Sequence, residues 1–320
     1  MSLIEMNKQL DQIVEFIKTE DNFSIVAHQS PDGDSLGSIL ALGLSLKNMG
    51  KRVRMYSSDP IPKQLSFLEI MDQIVIGVPK DKDSVLIVLD CSDEKRLTTQ
   101  NIHPQEFKYV INIDHHPANT MFGNLNFCVD NKIATCELVY FLLQQLPIKM
   151  DVPIAEALYL GIITDSGFFG YDNTTAGTHN IVADLLTIGV HPNKFKKNLE
   201  KKPFKYLKLL GMLFSKIQQD KTGKVSYLRI KKEDLISQGI EDFSDLDDMV
   251  DYLRNIDGTE VAVFIKEDGD QYKFSLRSNS RIDVGNLCRQ LGGGGHSKAA
   301  GFSTNENPTL ILEKILEEIS

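Results

Sequence analysis

The stretch "FSIVAHQSPDGDSLGSILALGLSLKNMG", residues 23–50, decides the fold. Its first four residues read as a buried strand. The run from Ser35 reads as a helix closed by Gly50. Between them stand His28, Asp32 and Asp34, groups that are costly to bury unpaired. Two further stretches end the same way: "SVLIVLD", residues 84–90, and "YVINIDHH", residues 109–116. Continuous apolar strands alternating with helices predict an α/β fold, a parallel sheet covered on both faces.

Working outward, "KRVRMYSS" (51–58) reads as another strand, and "TCELVYFLLQQL" (135–146) and "IAEALYLGIITDSG" (154–167) as helices. The spacing of Leu3, Met6, Leu10, Ile13, Val14 and Ile17 predicts an N-terminal helix. After residue 190 the texture changes. Residues 191–216 read as a helical, Lys-rich linker interrupted at Pro203. "KVSYLRI" (224–230), "EVAVFIKED" (260–268) and "QYKFSLRSN" (271–279) then read as strands, and "DVGNLCRQLG" (283–292) and "PTLILEKILEEIS" (308–320) as helices. The expected organisation is a parallel-sheet domain at 1–190, the linker, and a smaller α+β domain at 217–320 across a cleft.

The chain has 320 residues, 42% hydrophobic and 25% charged, as a globular protein does. No apolar run approaches the roughly 20 residues that span a bilayer. The N-terminus carries acids and lacks the pattern of a signal peptide. The four cysteines form no CxxC pair and read as reduced core residues. A cytoplasmic protein is expected. The formal charge of -9 argues against a grip on long duplex DNA, so any nucleic-acid substrate is short and held locally. The Lys-rich "NKFKKNLEKKPFKYLK" (193–208) reads as a solvated helix face rather than a steering patch.

In open α/β sheets, ligands bind beyond the carboxyl ends of the strands. His28, Asp90 and Asp114 fall at those ends, with Asp32, Asp34, His115 and His116 in the adjoining loops. Asp165 follows an apolar helix-like run. Crowded carboxylates repel, and a metal ion offsets that repulsion economically. Oxygen and imidazole donors without thiolate suit Mn²⁺ or Mg²⁺ better than Zn²⁺. The donors outnumber the needs of one ion, and two ions about 3.5–4 Å apart would use them all. Taken singly, each motif has a plainer reading: Asp34 or Ser35 as a helix cap, "VLDCSD" (88–93) as an Asx-turn. Four such stretches at one sheet edge outweigh it.

These motifs, in this order, resemble the DHH family of phosphoesterases over nearly the whole chain. "HQSPDGDSLGS" (28–38) is similar to the family's first motif, "VLDCSD" to its second, "IDHHPAN" (113–119) to its third and "GIITDSGFF" (161–169) to its fourth. "GGGGHSKAAGF" (292–302) resembles the signature of the DHH-associated C-terminal domain. The nearest group is the NrnA-type oligoribonucleases that also dephosphorylate adenosine 3′,5′-bisphosphate. The resemblance implies that His28 and Asp32 hold one Mn²⁺ and Asp34, His115 and Asp165 a second, with Asp90 bridging. Mg²⁺ would substitute. It implies that Asp114 fixes the His115 or His116 ring. His116 would bond the scissile phosphate or assist the leaving oxygen, acting with Asp90 in catalysis. Arg277, Gly293, Gly294, Gly295 and His296 would take a substrate phosphate. The implied reaction releases nucleoside 5′-monophosphates from very short RNA, with polarity open. The alternative is a phosphodiesterase for pApA or cyclic di-AMP. No membrane partner is expected, and a homodimer is.

Overall fold

The computed structural model describes residues 3–240, 246 and 249–319. Contacts divide it into two units, one up to Lys201 and one from Lys202 onward. The first contains helices α1 (Leu3–Thr19), α2 (Gly33–Asn48), α3 (Glu94–Thr98), α4 (Thr135–Gln144), α5 (Val152–Asp165), α6 (Ala176–Ile188) and α7 (Pro192–Leu199). Its strands are β1 (Asn22–Val26), β2 (Arg52–Ser57), β3 (Ile74–Ile76), β4 (Val85–Leu89), β5 (Tyr109–Asp114) and β6 (Leu125–Cys128).

All neighbours in this sheet are parallel, in the order β3-β2-β1-β4-β5-β6. Strand β4 is buried at every position because both faces are covered. Val85, Ile87 and Leu89 face the large core shared with α1, α2, α4 and α5, while Leu86 and Val88 face a smaller cluster with Leu97 of α3. The order reverses between β1 and β4, the place where such sheets leave a crevice at the strand ends. Those two strands lead directly into His28 and Asp90.

Helix α2 is less amphipathic than its sequence suggests: 13 of its 16 residues are buried. It packs on α5 through glycines. A Cβ on Gly37 would fall 2.4 Å from the Ala157 carbonyl oxygen, and one on Gly161 would fall 2.3 Å from Cys136 Sγ and 2.6 Å from Asp34 Oδ1. Such approach brings the start of α2 and the end of α5 to one place.

The second unit contains β7 (Gln218–Gln219), β8 (Val225–Lys231), β9 (Val261–Asp268), β10 (Gln271–Ser278), β11 (Gly294–His296) and β12 (Ala299–Thr304), with helices α8 (Phe204–Phe214), α9 (Lys232–Ile236), α10 (Met249–Arg254), α11 (Val284–Gln290) and α12 (Pro308–Ile319). Its sheet runs β11-β12-β10-β9-β8-β7. Helices α8, α9 and α10 cover Leu228, Ile230, Ala262 and Phe264 on one face, and α11 and α12 cover the other.

Segment 191–216, expected as a helical linker, is helical, and its two helices pack on different units. Phe195 of α7 is buried in the first core, and Tyr206, Leu209, Leu210 and Leu213 of α8 are buried in the second. Lysines on the outer faces of both helices mask this apolar spacing. Strands β3, β6, β7, β11 and β12 were not expected. They are short, lie at or near sheet edges, and lack long apolar runs. Among the described residues, no helix is long and apolar enough to cross a membrane.

Candidate functional site

Asp32 both caps a helix and faces the site. Its carboxylate accepts the Ser35 N–H at 2.9 Å, and Ser35 Oγ accepts the Asp32 N–H at 2.9 Å, a reciprocal cap on α2. Its other oxygen, Oδ2, lies 3.7 Å from His28 Nε2. Asp34, two residues further on in the first turn of α2, caps a different helix. It accepts the Thr135 N–H at 2.6 Å and the Cys136 N–H at 2.9 Å, at the start of α4. Two carboxylate oxygens offer about four lone pairs, so lone pairs remain for a cation.

Asp90 is the centre of the cluster. It is 2% exposed and its backbone is left-handed, with φ 54°. Aspartate tolerates that region better than most residues, yet it is uncommon outside glycine. Its Oδ2 lies 3.2 Å from His28 Nε2, and its Oδ1 lies 3.5 Å from His115 Nε2 and 3.6 Å from His116 Nδ1. Thr135 Oγ1 donates to Oδ1 at 3.1 Å.

Backbone carbonyls select the imidazole tautomers. His28 Nδ1 donates to the Gln29 carbonyl at 2.6 Å, and His115 Nδ1 donates to the Lys132 carbonyl at 3.2 Å. Each ring therefore turns Nε2 towards the carboxylates, the arrangement of a metal-ligating histidine. His115 Nε2 lies 3.2 Å from Asp165 Oδ2 and 3.9 Å from Asp34 Oδ2. Asp114 orients His116, accepting from its Nδ1 at 2.7 Å, while Asn119 Nδ2 donates to Asp114 at 2.6 Å. His116 is left with Nε2 free of that contact, on a side chain 37% exposed.

The donor atoms gather into overlapping groups, each within 4.8 Å: His28, Asp32 and Asp90; Asp34, His115 and Asp165; and Asp90, His115 and His116. The electrostatics call for a cation. Burial, then the neighbouring Asp90 and Asp165, hold Asp34 well above the usual carboxylate range. Burial pushes Asp165 up to about 6, with Asp90 adding to it and His115 opposing. Asp165 also ends α5, where helix carbonyls disfavour negative charge. His28 is opposed by burial but held up to about 10 by Asp32 and Asp90. Burial, then Asp34, pushes the Cys136 thiol well above its ordinary range, so no thiolate enters the set. The residues present thus fit hard divalent cations with oxygen and imidazole ligands.

In the metal-free protein, protons balance this charge, and a divalent cation must displace them. Affinity should therefore rise with pH. Titration calorimetry with MnCl₂ is expected to show net proton release near pH 8, to which His28 contributes, and a larger release below pH 6, where Asp165 is also protonated; the raised Asp34 adds to it. The stability of the metal-free fold runs the other way. Asp165 is raised from 3.8, so its contribution falls between pH 4 and 6; His28 is raised from 6.5, so its contribution is full below 6.5 and lost towards 10. Affinity independent of pH between 6 and 8 would contradict this account.

In the second unit, Arg277 of β10 pairs with Ala299 of β12, and Ala299 pairs with His296 of β11. Arg277 and His296 thus share one sheet face with a small residue between them. The next row on this face is Ser275, Gly301 and Gly294. Arg277 Nη1 donates to the Leu276 carbonyl at 3.1 Å, and its Nε lies 3.6 Å from Asp251 Oδ1 of α10. The glycines have separate reasons. A Cβ on Gly293 would fall 2.3 Å from the Gly301 carbonyl oxygen, and Gly295 has φ 134° with Ala300 against it. A Cβ on Gly294 would meet nothing within 4 Å. Packing accounts for Gly293 and Gly295. Gly294 leaves bare backbone beside Arg277 and His296, as close approach of an anion requires.

Thr135, Asn119 and Asp251 were missed by sequence reasoning. Asn119 lay inside the quoted "IDHHPAN". Thr135 and Asp251 carry no local signal, since their partners are 45 and 26 residues away.

A family model described as the DHH family, N-terminal domain, matches residues 22–162, and one for the DHHA1 domain matches residues 220–320. The bifunctional oligoribonuclease and PAP phosphatase NrnA of Thermus thermophilus is 31% identical over 315 residues, 96% of this chain and 94% of that protein. This chain belongs to the DHH family. Among solved structures, an exopolyphosphatase-related protein from Bacteroides fragilis shares the fold of this DHH family member. Its TM-score is 0.84 at 24% identity, covering 98% of this chain and 96% of that one. RecJ from Thermus thermophilus in complex with Mn²⁺ is more distant, with a TM-score of 0.52 at 14% identity, covering 98% of this chain and 54% of that one.

Proposed function

We propose that this chain is a metal-dependent phosphoesterase that hydrolyses very short RNA to nucleoside 5′-monophosphates and removes the 3′-phosphate from adenosine 3′,5′-bisphosphate. The observation that carries this reading is Asp90, set between two donor groups where the strand order reverses. The similarity to NrnA supports the substrate class. We assign His28 and Asp32 to one ion, Asp34, His115 and Asp165 to a second, and Asp90 to both. Mn²⁺ fits this donor set, with Mg²⁺ as a substitute. When bound, such ions supply an acidified water and neutralise phosphate charge.

The protein's own groups do the rest. The bond to Asp114 raises His116 above the ordinary imidazole range, against burial, and we assign its Nε2 to donate to a phosphate oxygen or the leaving oxygen. Asp114 and Asn119 fix that ring. Arg277, Gly294 and His296 are assigned to a second phosphate, where a planar guanidinium offers paired donors. We retain a catalytic domain followed by a substrate-recognition domain.

The test is a panel. Mn²⁺-loaded protein is given RNA of two to twenty nucleotides, pApA, cyclic di-AMP and adenosine 3′,5′-bisphosphate, and kcat/KM is ranked. Turnover falling steeply with RNA length is expected, and no turnover of any member would end the reading. Arg277→Ala should raise KM about ten- to a hundredfold for substrates with a terminal phosphate, through loss of a charge-assisted contact. Equal losses on substrates with and without that phosphate would count against the anchoring role.

A further inference from the structure

The end of α5 does more than present Asp165. The Phe168 N–H donates to the Ile163 carbonyl at 2.9 Å and the Gly167 N–H to the Thr164 carbonyl at 3.1 Å, the paired bonds of a Schellman stop with left-handed Gly167 after the cap. A glycine there is ordinary. The two residues after it are not: Phe168 and Phe169 are also left-handed, with φ 57° and 66°. Aromatic residues pay strain in that region, and such strain persists only where the surroundings enforce it.

Ser166 enforces it. This fully buried residue accepts the Phe169 N–H on its Oγ at 3.0 Å, and its carbonyl accepts the N–H groups of Gly170 and Tyr171 at 3.0 and 3.2 Å. The loop's three aromatic rings are then used differently. Phe169 packs on the margin of the first core and against His179, with ring centroids 5.1 Å apart. Tyr171 is 61% exposed but lays one face of its ring over Gly167, where an added Cβ would fall 2.6 Å from its Cζ. Phe168 is turned out, 44% exposed. A phenylalanine left 44% exposed on a strained, pinned backbone is poorly used by the fold. It lies three residues past Asp165, so the chain limits their separation to about 11 Å.

We infer that Phe168 is a stacking platform for a nucleobase of the substrate, a specificity residue beside the metal centre. The inference rests on the phosphoesterase reading above and names the group that recognises the nucleoside. A flat ring on a rigid loop offers a base its π-face at little entropic cost and with little preference among bases.

The test uses full-length Mn²⁺-loaded protein and a 5′-phosphorylated RNA dinucleotide, intact or with either base replaced by an abasic ribose. Phe168→Ala is expected to lower kcat/KM on the intact dinucleotide about ten- to a hundredfold, mainly through KM, and Phe168→Trp to retain activity. On one of the two abasic substrates, wild type and Phe168→Ala should be equal, because the group that Phe168 contacts is gone. The rise in Tm on adding MnCl₂ should be the same in both proteins. Equal losses on all three substrates, no loss on any, or a smaller Mn²⁺-induced rise in Phe168→Ala would each overturn the inference. A wild type that leaves the intact dinucleotide uncut would sink the phosphoesterase reading itself, whereas a wild type and Phe168→Ala that cut it equally well would sink only the platform.

Discussion

Asp90→Asn is expected to lower kcat/KM by at least about a thousandfold and to remove most of the rise in Tm that MnCl₂ gives. Both effects have one cause. Asp90 is a buried carboxylate beside His28, His115 and His116, and it helps hold Asp34 above the carboxylate range. Without metal, its loss relieves Asp34 but takes a partner from His28, and the two effects oppose. With metal, the same carboxylate is shared by both proposed ions, so its loss weakens both positions together. Asparagine is the informative substitute because it tolerates the left-handed backbone at φ 54° and keeps an oxygen for Thr135. Thermal melts with and without MnCl₂ separate the outcomes. A variant that lost activity yet kept the full Mn²⁺-induced rise in Tm would show that Asp90 does not hold the ions.

Gly161→Ala should destabilise the first unit by about 2 kcal/mol, the usual cost of overpacking, and lower its Tm by about 5 °C. Helix propensity alone predicts the opposite sign, since alanine is favoured over glycine inside a helix by about 1 kcal/mol. The contacts decide between them. The new methyl would stand 2.3 Å from Cys136 Sγ and 2.6 Å from Asp34 Oδ1. Asp34 cannot move aside without breaking its bonds to the Thr135 and Cys136 N–H groups. Affinity for the ion assigned to Asp34, His115 and Asp165 should fall about ten- to a hundredfold, as when other supporting groups of metal sites are disturbed. Cys136→Ala should recover part of the stability and little of the affinity, since it relieves only one clash. A gain in Tm for Gly161→Ala would mean that the helices do not approach so closely.

The sequence carried the first unit's sheet because its inner strands announce themselves. "VLIVL" before Asp90 is apolar at every position, as a strand covered on both faces must be, and β1 and β5 follow it closely. It carried the grouping of the site residues for a related reason. Parallel strands all end at one edge, so an acid or histidine after each run lies near its counterparts whatever the loops do. The short strands β3, β6, β7, β11 and β12 escaped because two to six residues hold too little periodicity to tell a strand from a loop. The end of the "GGGGH" run, expected only to take a phosphate, forms strand β11, because pairing with β12 supplies hydrogen bonds that glycine's own propensity would not favour.

Other features depended on contacts between distant parts of the chain. Asp32 and Asp34 are two residues apart, yet one caps α2 and the other caps α4 from 101 residues away. Which histidine Asp114 orients, the role of Thr135, and the different reasons for Gly293, Gly294 and Gly295 were equally hidden. The sequence by itself determined which residue types meet at the sheet edge, because strand period and burial are local properties. Tertiary structure alone decided which lone pair each ligand presents and how Phe168 is displayed. Those depend on backbone N–H and carbonyl groups that packing brings from elsewhere in the chain.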